Sequence, residues 1–194
     1  MYHRLPDSAD FWLFLFSVDK DLAETARQQG CACGGRLHQA NYRRKPRGGP
    51  ADLPPQWCNR LSFCCDREDC RKRVTPPSVR FLGPKVYLSA VVILVAAMRQ
   101  GSTPKRVREL TRCFGADRRT IERWRVFWDE HFPQSPFWKV ARGRLVPMVE
   151  VAILPQALLE AFVNHKDDRW RGWEALLRFL SPITITGGLK IEVS

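Results

Sequence analysis

No stretch of this sequence is apolar for long enough to cross a bilayer. The longest, Val86 to Met98, falls short of the roughly 20 residues a membrane helix needs, and it reads as a buried helix. Phe11 to Phe16 is a six-residue apolar run with no cleavage site after it, so no signal peptide is expected. Histidine is scarce. Only His3, His38, His131 and His165 are present, and they are scattered, which leaves no local Ser-His-Asp or Cys-His pairing. There is no internal repeat. Carboxylates are also short: 20 Asp and Glu face 32 Lys and Arg, for a net charge of +12. These absences argue against a membrane protein, a secreted protein and an enzyme. A surplus of cations favours a polyanionic partner.

The surplus is concentrated. Residues 36–80 hold 11 Lys/Arg against 4 Asp/Glu, and residues 104–126 hold 8 against 3. The remainder holds 13 of each and sums to zero. Both basic windows coincide with motifs. That coincidence distinguishes them from charge runs that merely solvate a face.

Four stretches follow from composition and periodicity. Residues 1–30 read as a helical segment, with Val18, Leu22, Ala23 and Ala26 at helical spacing and Gly30 as its stop. Residues 31–80 are rich in Cys, Pro, Gly and Arg and poor in periodic apolar positions. Such a stretch cannot order itself by burial and needs a staple. Residues 81–132 read as three helices: one from Pro84, one capped at Ser102 or Thr103, and one capped at Asp117. Residues 133–194 read as helices beginning at Ser135-Pro136, at Pro155 and at Asp167 or Asp168, then a hairpin turning at Gly187-Gly188. The Trp170, Trp173, Leu176, Leu177, Leu180 stripe of the last helix suits either the core or a homodimer interface. The fold class expected is mainly α, with a small β zinc ribbon, a helix-turn-helix domain and a short C-terminal β-hairpin.

The staple is in the cysteines. Seven are present, and in a reducing cytosol clustered thiols bind metal rather than pair. A ribbon needs two knuckles, each giving two thiolates to one tetrahedral Zn²⁺. Cys31-Ala32-Cys33-Gly34-Gly35 is the first. The second lies in Phe63-Cys64-Cys65 to Cys70, where three cysteines compete for two places. If Phe63 packs inward, strand alternation puts Cys65 on its face and Cys64 on the other. The favoured ligands are therefore Cys31, Cys33, Cys65 and Cys70. Cys64 is the first substitute, Cys58 the next, and His38 follows. The spacings are C-x-C and C-x4-C rather than the usual C-x2-C, and buried thiols without metal are the alternative. Cys113, inside a helical pattern, reads as a small buried hydrophobe.

Val107 to Val126 fits a helix-turn-helix template, with Leu110, Phe114, Ala116, Ile121 and Trp124 inward and Gly115 at the turn. The second helix carries Arg118, Arg119, Thr120, Glu122, Arg123 and Arg125 on its expected outer face. Arginine there can bond guanine edges in the major groove. Lys105, Arg106 and Arg112 on the preceding helix suit phosphates. In the loop from Arg43, Arg44, Lys45 and Arg47 form a third basic element. Its Pro46-Arg47-Gly48 resembles the core of an AT-hook, lacks the second arginine of that core, and suits non-specific phosphate contact.

Taken together, residues 31–130 resemble the zinc ribbon and helix-turn-helix that open many insertion-sequence transposases. Phe63-Cys64-Cys65 and Cys70-Arg71-Lys72-Arg73-Val74-Thr75 look like the second knuckle and the strand after it. Tyr87-Leu88, Val107-Arg108-Glu109-Leu110 and Asp117 to Trp124 look like the helical module. The resemblance implies recognition of element ends or similar DNA without carrying catalysis, since the residues after 131 do not read as the large mixed sheet of an RNase H-like domain. The expectation is a cytoplasmic, nucleoid-associated, non-enzymatic protein that binds double-stranded DNA in a sequence-specific way. Its role would be that of an accessory or regulatory protein of a mobile element, reading the major groove with helix 117–130, as a homodimer or within a transposition or regulatory complex. The competing expectation is an RNA-binding or protein-interaction subunit of a larger nucleic-acid complex.

Overall fold

The computed structural model describes residues 9–44, 54–81, 108, 117–145, 150–164 and 169–185. The structure is mostly helical, with two small antiparallel sheets. Helix α1 (Ala9–Gln29) has Asp10 in its first turn and Arg27 in its last, both favourable to the helix dipole. It ends where Gly30 takes a φ of +73° and its N–H bonds back to the Arg27 carbonyl. Phe11, Trp12, Leu15, Val18 and Ala23 form its buried face. This is the i, i+3, i+4 stripe of an amphipathic helix.

That face serves two cores. The N-terminal half of α1 enters a large cluster with Trp57, Val79, Trp124, Trp128, Trp138, Leu158 and Trp173, so one core draws on all four sequence stretches. Ala23, near its other end, joins Cys31, Leu37, Phe63 and Cys65 in a second, smaller cluster. The helix is thus a spine between the helical body and the cysteine-bearing sheet.

That sheet has the order β1 (Leu37–Gln39), β4 (Phe63–Cys65), β5 (Arg73–Val74). Leu37 pairs with Cys65, and Phe63 pairs with Gln39 on one side and Val74 on the other. Strands β2 (Tyr42–Arg43) and β3 (Asn59–Arg60) form a separate two-stranded ladder. Arg60 is buried and donates to the Pro76 carbonyl. Burial pulls its pKa down, while the Asp19 carboxylate acts the other way.

Helix α2 (Arg118–Val126) is capped as its sequence suggests: the Asp117 carboxylate accepts from the Thr120 N–H at 2.6 Å. It continues through a π-helical turn, Phe127–His131, into α3 (Phe132–Gln134). Phe127, Trp128 and Phe132 are all buried there. Ser135 then caps α4 (Pro136–Ala141) by accepting from the Trp138 N–H. Helix α5 (Gln156–Leu159) follows Pro155 and buries Leu158 and Leu159. Helix α6 (Arg169–Leu180) buries Trp173, Leu176, Leu177 and Leu180. Within this chain the α6 stripe is core: the Phe11 ring lies edge-on to Trp170 and Trp173, at 6.0 and 6.4 Å.

The start of the expected C-terminal hairpin is different. Ser181–Thr184 is a 3-10 turn with Pro182 at its beginning, and Ile183 is buried in the helical core. The proline fixes a helical φ, and the Thr184 hydroxyl bonds back to the Ser181 carbonyl. The Gly187-Gly188 turn and residues 189–193 lie outside the described residues. So do the expected helix from Pro84, the Ser102/Thr103 cap, the Gly115 turn, Cys113 and the Asp167/Asp168 cap.

Candidate metal centre

Two tight turns bring four thiols together. The first follows α1 directly. Gly34 takes a φ of +81°, its N–H donates to the Cys31 carbonyl at 2.8 Å, and the Cys31 N–H donates to the Gly35 carbonyl at 3.1 Å. A side chain at Gly35 would collide with the site: a Cβ there would lie 2.5 Å from the Cys65 sulfur and 2.9 Å from Arg67 Cγ. This glycine is a condition of the close approach between the knuckles. The second turn runs from Cys65 to Cys70, with the Cys70 and Arg71 N–H groups donating to the Arg67 carbonyl. Arg71 closes it at a φ of +44°.

The turns clasp each other. The Asp66 N–H donates to the Arg36 carbonyl at 3.0 Å, and the Arg36 N–H donates to the Asp66 carboxylate at 2.9 Å. Arg67 reaches across and donates to the Cys33 carbonyl at 3.0 Å. In this frame the sulfurs of Cys31, Cys33, Cys65 and Cys70 all lie within 4.8 Å of one another. Cys31 and Cys70 are 3.7 Å apart, and Cys33 and Cys65 are 3.4 Å apart. Both distances are far beyond a disulfide bond of about 2.05 Å. They match the edge of a tetrahedron with metal–sulfur bonds of about 2.3 Å, which is about 3.8 Å. The four expected ligands are the four the structure brings together, and they can hold one metal ion.

Their acidities fit that use. The Gly35 backbone N–H bonds the Cys33 sulfur and lowers its pKa to about 7. Burial pushes the Cys65 thiol up to about 12. Four crowded thiols cannot all ionise unaided; a divalent cation supplies the charge that lets them. The N–H groups at the sulfurs are the outer-shell donors such a centre requires.

The substitutes are turned elsewhere. Phe63 and Cys65 are buried on one face of β4, while Cys64 points away and its sulfur contacts the Arg71 carbonyl at 3.4 Å. Cys58 ends a 3-10 turn at the two-stranded ladder. His38 is exposed and pairs with Asp66 at 3.6 Å.

The basic residues divide. Arg118, Arg119, Glu122 and Arg123 are exposed on α2. Glu122 lies 3.8 Å from Arg125, which is half-buried. Thr120 corrects the expectation. It is only 7% exposed, lies on the buried side with Ile121 and Trp124, and accepts a hydrogen bond from Arg123 at 3.0 Å. It is three residues from the cap, and the helix turns it toward the core. Arg44 also differs. It is half-buried, its N–H extends the β2–β3 ladder to the Cys58 carbonyl, and its guanidinium sits over the Phe81 ring at 5.5 Å. It packs on the sheet rather than belonging to a solvated loop. Lys45, Arg47, Lys105, Arg106 and Arg112 lie outside the described residues.

Sequence reasoning missed a buried polar junction. The Asp19 carboxylate accepts from the Arg80 guanidinium, the Ser78 hydroxyl and the Val79 N–H at 2.6–2.7 Å. Arg80 also donates to the Trp57 and Asn59 carbonyls and lies over the Phe16, Trp57 and Phe81 rings. The available signal was an aspartate at a core-facing position of α1, one residue after buried Val18.

Comparison of the chain with protein-family models, with curated proteins and with solved structures gave no match.

Proposed function

We propose that this chain is a sequence-specific double-stranded DNA-binding protein in which a four-cysteine Zn²⁺ ribbon and the arginines of α2 act together. The observation that carries the metal half is the set of four thiols within 4.8 Å of one another, held by two interlocked turns. The donor set suits zinc: closed tetrahedral sites of four thiolates are a recurring structural zinc arrangement. The site therefore stabilises rather than catalyses.

The DNA half is supported by α2. Its exposed face carries Arg118, Arg119 and Arg123, while Ile121 and Trp124 anchor the opposite face. A helix fixed along one side and studded with guanidinium groups on the other suits the major groove. Arg118, Arg119, Glu122 and Arg123 are its base-reading residues. The resemblance of residues 31–130 to the DNA-binding region of insertion-sequence transposases suggests an accessory or regulatory protein of a mobile element.

The test is Arg119→Ala, measured on a preferred duplex selected by the wild-type protein and on random duplex. Loss of about 1–3 kcal/mol on the preferred duplex alone is expected of a base contact. Equal loss on both would make Arg119 a phosphate contact. Tighter binding to structured RNA than to any duplex, at the same salt, would favour an RNA-binding protein instead.

A further inference from the structure

Several helical cations among the described residues have a carboxylate close by on the same helix: exposed Arg27 with Glu24, and half-buried Arg125 with Glu122 and Arg178 with Glu174. Three neighbouring cations do not. Lys139, Arg142 and Arg144 are exposed, and no carboxylate partner neutralises them among the described residues. The sequence around them explains this, since residues 131–149 contain no Asp or Glu at all.

The segment bearing them is held firmly at both ends. Trp138 is buried in the core, its N–H bonded to the Ser135 hydroxyl at 3.1 Å. Leu145 is buried at the other end, its N–H bonded to the Arg142 carbonyl at 2.9 Å. Between these anchors everything charged faces solvent. Val140 is 78% exposed, and a Cβ at Gly143 would meet nothing within 4 Å. The segment is also tied to α2. Trp128 packs on Phe132 with ring centroids 4.7 Å apart, and Phe132 packs on Trp138 at 5.1 Å. Lys139 on α4, and Arg142 and Arg144 on the 3-10 turn that follows it, are thereby linked to α2 through one aromatic stack.

We propose that Lys139, Arg142 and Arg144 form a second surface that grips the phosphodiester backbone of duplex DNA without reading its sequence. The inference rests on the duplex-binding reading of α2 and adds a phosphate clamp to it. Charge complementarity supports this occupant. Among the described residues 136–145, Val140 is the one large apolar side chain that is highly exposed beside the three cations, too little apolar surface to anchor in a lipid interface. Neutralising phosphates releases condensed counterions, so each contact adds to the salt dependence of binding.

The experiment uses the full zinc-loaded chain and a short random-sequence duplex, with affinity measured across a range of NaCl concentrations. The variant is Lys139→Gln/Arg142→Gln/Arg144→Gln, with thermal melting as the folding control. The slope of log affinity against log salt should become shallower by about 2–3, with the melting temperature unchanged. A second variant, Arg142→Lys/Arg144→Lys, should keep the wild-type slope, because it keeps the charge. An unchanged slope in the glutamine variant overturns the clamp, and so does a lost slope in the lysine variant. If Arg118→Ala/Arg119→Ala still weakens binding to a selected preferred duplex more than to random duplex in either case, the reading of α2 survives. If the wild-type chain does not bind the duplex in a salt-dependent way, both readings fail.

Discussion

Asp19 and Arg80 form an ion pair at 2.7 Å in which both side chains are essentially inaccessible, at 1% and 0% exposed. The pair joins the middle of α1 to the segment that follows the cysteine-bearing sheet. Every donor nitrogen of the guanidinium has a partner: Asp19, the Trp57 carbonyl and the Asn59 carbonyl. The carboxylate is equally occupied, by Arg80, Ser78 and Val79. A buried pair of this kind adds little net stability when complete but leaves an uncompensated buried charge when halved.

Asp19→Asn and Arg80→Met should each lower unfolding stability by about 3–5 kcal/mol, because each strands a buried partner. Denaturant titration of the zinc-loaded chain measures this. A loss under about 1 kcal/mol, the range of an exposed pair, would show that the junction is open to water.

Cys33→Ser and Cys70→Ser should release zinc and unfold the small sheet, because metal binding at such a site is coupled to folding. Cys64→Ser should keep full zinc content, since that sulfur faces the Arg71 carbonyl. Zinc assay and thermal melting on the three variants check both statements. Zinc loss in Cys64→Ser would mean that the ligand set is wrong.

Gly35→Ala should weaken metal affinity roughly 10–100-fold, the range for damage to the outer shell of a metal site. The added methyl would sit 2.5 Å from the Cys65 sulfur, so the knuckles must separate. Gly143→Ala, in open space, is the control and should change nothing. Equal zinc affinity in the two variants would contradict the interlocked geometry.

Zinc binding should tighten as pH rises, because the metal displaces protons from thiols. With Cys33 near 7 and Cys65 near 12, a neutral solution holds a partly ionised Cys33 and a protonated Cys65. Adding Zn²⁺ to weakly buffered protein should therefore release more than one proton per ion. A pH-stat titration measures this, and release of none would be incompatible with thiolate ligation.

Asp117 gives a second pH dependence, of the same sign but in the acid range. Its hydrogen bonds to Thr120 hold its carboxyl below the ordinary value of 3.8. The cap therefore stabilises α2 above that value, and the stabilisation is lost as pH falls through the lowered folded-state pKa. Relative to its intrinsic rate at each pH, amide exchange at Thr120 should be protected at neutral pH, lose that protection in acid, and be unprotected throughout in Asp117→Ala. Slow exchange in the variant would remove Asp117 as the cap.

What the sequence made legible was local. The helix α1 with its stop at Gly30, the caps at Asp117 and Ser135, and the choice of Cys65 over Cys64 all depend on neighbours a few residues away. Strand alternation alone separated the two adjacent cysteines, because Phe63 fixed which face was inward. The misses are long-range or rotational. The partners of Asp19 lie 59–61 residues along the chain, where no periodicity points. Polarity alone points Thr120 outward, yet the turn of the helix places it beside Ile121 on the core side. Arg44 was grouped with its basic neighbours, although one more ladder hydrogen bond was enough to draw it onto the sheet.

Selection of duplex DNA through α2 by a metal-loaded chain is the central requirement of the proposed function. The most direct measurement is selection of bound sequences from random duplex DNA, with zinc quantified in the same preparation and Arg118→Ala/Arg119→Ala run in parallel. One zinc per chain, one enriched motif, and loss of that enrichment in the variant are the predicted results. A metal-free preparation that selects equally well, or no enrichment with full zinc, would contradict it.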